Sequence, residues 1–478
     1  MKKLIILLAV ACYFTSCVES LDDYNIDQKN AAEAPPATLF TNATKELADI
    51  LTTPNVNLNN FRLYVQYWST TTYLQEPRYD LTSRTIPEAL WETLYRDVLA
   101  DLKEARRLTL EDEFLDPDVK NNQLAQIKLM EVYSWFILVS TFGNIPYSQA
   151  LDIETPLPVY DDAATVHDDL FKRLDTALSL ITPEVEGFEE GDLLYEGDME
   201  SWAKFGNSLK LKMGMLLADV DNDRASTVVS EAAPNVFTSN ADNALFPYIS
   251  APPNNNPVSA NMNPLYSSRQ DFIIAGTFTD KLNELNDPRR PFYATPVNGE
   301  YKGGRYGYLN EYDAFSHVTE RQIDPTFPGV FLDYSEIEFL LAEAVERGFI
   351  SGSAATHYEN GIEASILYWG GSQADVNAYL AQPSVAYNTA PGAYKEKIGV
   401  QTWLALYNRG WSAWTAWRRL DYPALLPPMG DGAPAGLAIP VRYIYPINEQ
   451  TLNPAQREAA ASAIGGDEAT TKLFWDVN

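Results

Sequence analysis

The chain has 478 residues, 46% of them hydrophobic and 21% charged, so it is long and apolar enough to bury a core and lies outside the disordered regime. Its 65 Asp and Glu against 35 Lys and Arg leave a net charge of −30, which repels a phosphate backbone, and no nucleic acid is expected as a partner. Aromatic residues make up 12% of the chain and 28 residues are Tyr, whose apolar face and polar handle suit half-wet sites that meet sugars or peptides.

Met1 to Lys3, the apolar run Leu4 to Phe14, and Thr15-Ser16-Cys17 read as the n-region, h-region and cleavage site of an exported protein. The run is shorter than the ~20 residues that span a bilayer. Phe14-Thr15-Ser16-Cys17 looks like a relaxed lipobox, so residues 1–16 are expected to be removed and Cys17 to carry the acyl chains that anchor the protein to a membrane. The cysteine usage agrees: Cys12 leaves with the signal, and only Cys17 remains, at the new N-terminus. Residues 17–30, acidic from Glu19 to Asp23, are expected to form a tether, and 31–478 a single domain.

Within that domain the apolar spacing predicts helices in chain order. They cover Leu90 to Leu108, Asn121 to Phe142 (stopped by Gly143), Thr165 to Ile181, and Met199 to Val220. Further along come Ser335 to Arg347, Ala354 to Trp369 (stopped by Gly370-Gly371), and Lys395 to Trp417 as one long helix or a broken pair. The helices arrive in pairs of about TPR length without the strict repeat signature. Stretches 31–235 and 331–420 read as helical scaffold, and 236–330 and 421–478 as loop-rich parts. Long loops are expected at Ala251 to Pro257, Asp287 to Phe327, Gln382 to Pro391 and Pro423 to Pro440, a length that in a compact protein points to function. Strand content should be small, with Arg442 to Tyr445 one of few candidates.

A catalytic reading finds no constellation to stand on. His167, His317 and His357 are scattered and form no zinc-binding spacing. There is no G-x-S-x-G elbow, P-loop or G-x-G-x-x-G, and the abundance of carboxylates picks out no glycosidase pair. A binding reading needs only stacking faces beside polar groups, and two stretches offer them. The first, Tyr64 to Tyr79, supplies Trp68, Tyr73, Arg78 and Tyr79; the second, Tyr301 to Tyr308, supplies Arg305 and Tyr306. Tyr64 and Tyr67 have the alternative role of packing a helix.

Several ordered blocks resemble the SusD/RagB family of nutrient-binding outer-membrane lipoproteins, in its SusD-like branch. They include Phe142-Gly143-Asn144-Ile145-Pro146-Tyr147, Leu194-Tyr195-Glu196-Gly197-Asp198 with Trp202 and Phe205, and Asn286-Asp287-Pro288-Arg289. Leu341-Ala342-Glu343-Ala344-Val345-Glu346-Arg347-Gly348, Trp417-Arg418-Arg419, Pro440-Val441-Arg442, and Thr471 to Val477 continue the match. Read as chemistry, these blocks are mostly structural: Arg289, Arg418, Arg419 and Arg442 are suited to pair buried carboxylates or carbonyl ends, and Glu343 with Arg347 forms an i, i+4 pair. The resemblance implies a mainly α, SusD-like scaffold with TPR-like helix pairs, loop-rich insertions and little strand. It further implies a surface lipoprotein that captures oligosaccharides, or peptides, for a TonB-dependent SusC-like outer-membrane transporter, with no catalytic step. No cofactor is expected, and Asp-rich clusters such as Asp161-Asp162 lack an EF-hand spacing, which leaves a calcium ion in one of these loops open. The alternatives are a glycan-degrading enzyme and a helical-repeat adaptor for other proteins.

Overall fold

The computed structural model describes residues 34–477; the signal segment, Cys17 and the expected tether lie outside the described residues. The chain enters α1 (Pro36–Thr52), and after residues 53–85, which hold a helical turn at Phe61–Tyr64 and a strand at Trp68–Thr70, α2 (Ile86–Glu92) continues through π-helical turns at Thr93–Leu99 into α3 (Ala100–Glu111). Next come α4 (Pro117–Phe142), α5 (Ala163–Leu180), α6 (Met199–Leu216), α7 (Asn222–Ala232) and α8 (Gly276–Glu284). The second half holds α9 (Tyr334–Glu346), α10 (Ala354–Trp369), α11 (Gln373–Leu380), α12 (Tyr394–Ala405), α13 (Gly410–Leu420) and α14 (Pro454–Ala463). The fold is mainly α. Three two-stranded antiparallel sheets complete it among the described residues: β1 (Trp68–Thr70) with β5 (Phe272–Ile274), β2 (Ile145–Pro146) with β3 (Tyr160–Asp161), and β4 (Ala244–Phe246) with β6 (Gly329–Leu332).

Helices α4 and α5 pack as an antiparallel pair. Asn122 at the start of α4 donates to the Thr182 carbonyl past the end of α5, while Asn144 past the end of α4 accepts from the Ala163 N–H. Helix α4 is the central rod, buried on every side from Val132 to Phe142. Asp116 caps its start by accepting from the Asp118 and Val119 N–H groups, and Pro117 sits where no donor is needed. Gly143 stops it at φ +89°, ψ −123°, a conformation that side-chain-bearing residues avoid. The Phe142 to Tyr147 block is thus a joint that turns α4 into β2.

The broken form of the Lys395 to Trp417 stretch is the one adopted: α12 and α13 are separated at Leu406 to Arg409, with Asn408 at φ +71°. Arg442 to Tyr445, by contrast, is not a strand. Its N–H groups go to unlike acceptors: Arg442 to the Ala469 carbonyl (3.2 Å), Tyr443 to the Thr141 carbonyl (2.9 Å), Tyr445 to the Asp467 carboxylate (2.9 Å). The buried Arg442 guanidinium stitches the segment to the end of α4 through the Phe142 carbonyl (2.9 Å).

Helix α9 carries charge into the core. Glu336, 3% exposed, pairs with Lys212 of α6 (2.8 Å) and with Arg409 (2.6 Å), which also meets Asp333 at 3.0 Å. Burial pushes the Glu336 carboxyl up, but Lys212 and Arg409 outweigh it and hold the group below its ordinary value. One helical repeat later the fully buried Glu343 meets Arg347 (2.8 Å) and Arg419 of α13; Arg347 and Lys395 of α12 then share Asp219 (both 2.9 Å). The Asp287-Arg289 pair is a second buried fork, 2.9 and 2.6 Å, that also reaches Ser365 of α10 and Gln401 of α12. Another buried carboxylate, Asp192, organises the Leu194 to Asp198 block: it accepts from the Leu194, Tyr195 and Gly197 N–H groups and from the Trp202 indole at 2.6 Å.

Two consequences are measurable. Glu343→Gln leaves two guanidiniums facing an amide in the core, which should cost about 3–5 kcal/mol in urea unfolding; a loss within ~0.5 kcal/mol would show that the pair carries nothing. His167, 1% exposed between Phe136, Phe171 and Phe474, has neither ring nitrogen hydrogen-bonded. Burial, helped by Arg224, holds its pKa down to about 3 from an ordinary 6.5. Unfolding therefore takes up a proton below that ordinary value, and stability falls as the pH drops from it toward 3. Down to pH ~5 this group alone should remove ~2 kcal/mol, and His167→Phe should lose that share of the pH dependence. Parallel stability profiles for the two proteins would contradict it.

Candidate functional site

Strand β1 pairs with β5 in the register Trp68 to Ile274, Ser69 to Ile273 and Thr70 to Phe272. The Tyr301 to Tyr308 segment is then laid against the end of β5: the Gly304 N–H donates to the Ile274 carbonyl (2.8 Å) and the Gly276 N–H to the Gly304 carbonyl (2.7 Å). A Cβ on Gly303 would stand 2.4 Å from the Ala275 carbonyl carbon, so only glycine allows this approach. Asn310 locks the following turn. Its amide accepts from the Arg305 N–H (2.9 Å) and donates to the Tyr308 carbonyl (2.6 Å) and the Thr70 carbonyl (3.1 Å).

The structure brings part of the two aromatic stretches together. Arg78 donates from Nε to the Gly307 carbonyl (2.9 Å), and its guanidinium lies 5.5 Å from the Tyr308 ring centre. The Arg305 guanidinium stacks on the same ring at 3.6 Å. Tyr306 turns inward, 8% exposed, with its ring 6.5 Å from that of the half-buried Tyr79. Burial, with Tyr79 alongside, pushes the Tyr306 phenol well above its ordinary range, and it stays neutral.

Two expected platforms sit differently. Trp68 is 1% exposed, covered by Phe272 and the Arg62 guanidinium, with its indole N–H spent on the Tyr407 hydroxyl at 3.0 Å. It is a core side chain in this structure and no platform for a ligand. Tyr64 and Tyr67 are fully buried as well, Tyr67 against Trp403 and Phe278. Tyr73 is half-buried, with the Arg84 guanidinium 4.6 Å from its ring centre.

A third segment completes the face. The Tyr308 hydroxyl lies 2.7 Å from the carbonyls of both Met429 and Gly430, which share its one proton, and Arg305 pairs with Asp431 at 2.7 Å. Arg78 Nη1 reaches the Gly432 carbonyl at 3.1 Å, and Pro428 lies close on Gly307. Leu309, Leu426 and Met429, 62 to 65% exposed, add an apolar border. The result is an open face in which one aromatic ring and two guanidiniums stand beside apolar surface. No helical period marks the 426–432 segment; its only sequence signal is the crowding of Gly and Pro around a lone Asp431.

No cluster of three or more His, Cys, Asp or Glu among the described residues is placed to hold a metal ion. The cavity below Tyr368 and Arg409 measures about 30 Å³, room for one water, and is no ligand pocket. No helix among the described residues is long and apolar enough to cross a membrane.

A family model described as "Starch-binding associating with outer membrane", that of the SusD-like proteins, matches residues 28–446. Among solved structures, a chitin-binding protein is 30% identical, with a TM-score of 0.80 over 93% of this chain and 100% of its own. A SusD homologue from Bacteroides thetaiotaomicron is 24% identical, with a TM-score of 0.77 over 93% of this chain and 100% of its own. A chitin-binding SusD homologue from Flavobacterium johnsoniae is likewise 24% identical, at 0.76 over 92% and 98%. No curated protein matches the chain. The family model and two of these structures are named for binding a polysaccharide. With the family model spanning most of its length and the fold shared end to end, the chain belongs to the SusD-like family of binding proteins.

Proposed function

We propose that this protein captures oligosaccharides on the face built by Arg78, Arg305 and Tyr308, held at the outer membrane through Cys17, and hands them to a TonB-dependent transporter. The observation that carries the reading is the convergence of two guanidiniums on one partly open aromatic ring, with exposed apolar side chains at its edge. A sugar ring sets its C–H face on an aromatic plane and turns its oxygens to donors at the side. The names of the starch-binding family model and of the 30% identical chitin-binding structure support a glycan over a peptide. A shallow, exposed face of this kind buries little of its ligand, so affinities of about 10–1,000 μM are expected.

Calorimetry on the chain lacking residues 1–16, titrated with chitin-type, starch-type and peptide ligands, tests this. A glycan should bind without release of shorter products, and Arg305→Ala and Tyr308→Ala should each weaken binding about tenfold. Unchanged affinity in both variants would move the site elsewhere, and product release would make the protein an enzyme. The placement has its own check: Cys17→Ala should shift the full-length protein from the outer-membrane fraction to the soluble one. Detergent extraction of the unaltered protein should bring a large β-barrel with it. Retention of the variant in the membrane, or a soluble partner alone, would contradict the anchor or the transporter partnership.

A further inference from the structure

Two loops on one side of the molecule hold large apolar side chains out in water. Phe114, in the turn between α3 and α4, is 98% exposed, and Ile153, in the loop between β2 and β3, is 91% exposed. Leu110, just before the first tip, and Leu151, just before the second, line one open groove of about 500 Å³ along α3. Both tips are held out by the same device. Asp112 accepts from the Phe114 and Leu115 N–H groups (2.9 and 3.2 Å), and Asp152 from the Glu154 N–H (3.0 Å) and the Thr155 hydroxyl (3.2 Å). Lys120 donates to the Leu110 carbonyl (3.2 Å) and Lys103 to the Leu151 carbonyl. Turns fixed in this way let a partner bury the tips without the cost of ordering a loop.

The charge around the tips says what such a partner carries. The cations of the groove are already used: Arg107 pairs with Glu104 and Glu111 (both 2.6 Å), and Arg106 with Glu131 (3.0 Å). Glu113, Asp118 and Glu154, which flank the tips, have no ion pair among the described residues. A membrane surface of anionic lipid would be repelled by these carboxylates. A protein surface with Lys and Arg around apolar sockets would be drawn in, because opposite potentials steer docking and buried apolar anchors then hold it.

The tips also lie toward the end at which the described chain begins. Asn42 of α1 donates to Asp101 of α3 (2.8 Å), and one turn later Glu46 lies in the field of Asp97. Helix α1 therefore runs antiparallel to α3, and its first residue, Pro36, stands about level with Arg107. Cys17 is 17 residues before Ala34, the first described residue (34 − 17), a reach of at most about 60 Å. A protein embedded in the membrane that holds Cys17 is within range of this end.

We propose that Phe114 and Ile153 are the anchors of a docking surface for a membrane-embedded protein whose facing surface carries Lys and Arg around apolar sockets. The inference rests on the anchor and the transporter partnership read above, and it places the transporter's contact at this end. With the full-length protein in its own outer membrane, a photo-crosslinking amino acid at position 114 should form an adduct with the large β-barrel. Phe114→Ser combined with Ile153→Ser should cut the barrel recovered on detergent extraction at least tenfold. Glu113→Lys combined with Glu154→Lys should do the same at low salt. Glycan affinity and urea unfolding should be unchanged in both double variants.

Equal recovery of the barrel with the unaltered protein and both double variants would overturn the docking surface and leave the partnership intact. If no barrel accompanies the unaltered protein, the partnership reading fails, and position 114 decides the surface. An adduct there with another membrane protein, abolished by Glu113→Lys, upholds it. An adduct with lipid alone, or none, overturns it.

Discussion

Helix α9 buries its carboxylates, and the rest of the molecule is arranged to meet them. Glu336 and Glu343 cannot sit in the core unless cations arrive from elsewhere, and they arrive from α6 (Lys212), from the break before α13 (Arg409) and from α13 itself (Arg419). Ion pairs of this kind add little net stability over an apolar core, but a missing partner is costly. They therefore act as a register, fixing how far each helix may slide or turn. The arrangement reaches the site by short steps. Helix α12 holds the segment before β1, since the Trp403 indole donates to the Val65 carbonyl (2.8 Å) and the Tyr67 hydroxyl to the Trp403 carbonyl (2.5 Å). Helix α13 leads into the 426–432 segment that completes the candidate face.

The helices were legible because burial on one side leaves a period that local sequence records. Val166, Leu170, Leu174 and Ala177 on α5 are all buried, as their spacing requires. Motif blocks were legible for a related reason: Gly143 and the Asp287-Arg289 fork answer local demands of backbone and charge. Helix α1 was less visible because much of its buried side is small or polar, with Ala43, Thr44 and Ala48 among Phe40 and Leu47. Arg442 to Tyr445 misled as a strand because its residues are buried by contact with several elements, which mimics the apolar character of a sheet.

The site divided along the same line. Arg78 and Arg305, one from each aromatic stretch, meet at Tyr308, a juxtaposition the sequence does not show, and a run of aromatics does not say which rings face inward. Trp68 and Tyr67 are adjacent, and both are buried because that segment has protein on both sides, Phe272 on one and Trp403 with Tyr407 on the other. Nothing local distinguishes them from Tyr308, which Arg305 flanks from nearby in the chain but whose other partners, Arg78, Met429 and Gly430, are over 100 residues away. The contact with the 426–432 segment is of this non-local kind, and a Gly- and Pro-rich stretch carries no period to announce it.

The face that results is shallow, open and rich in donors on a strongly acidic protein, a combination that favours uncharged ligands with many acceptors over anionic polymers. It is built from turns locked by Asn310 and glycine on a scaffold locked by buried charge. The most direct measurement is a crystal structure of the protein with a bound oligosaccharide. A sugar ring against Tyr308, with its oxygens on Arg305 or Arg78, is the expected result. Density for the sugar on another surface, such as the open groove between Lys103, Arg107 and Leu151, would contradict it.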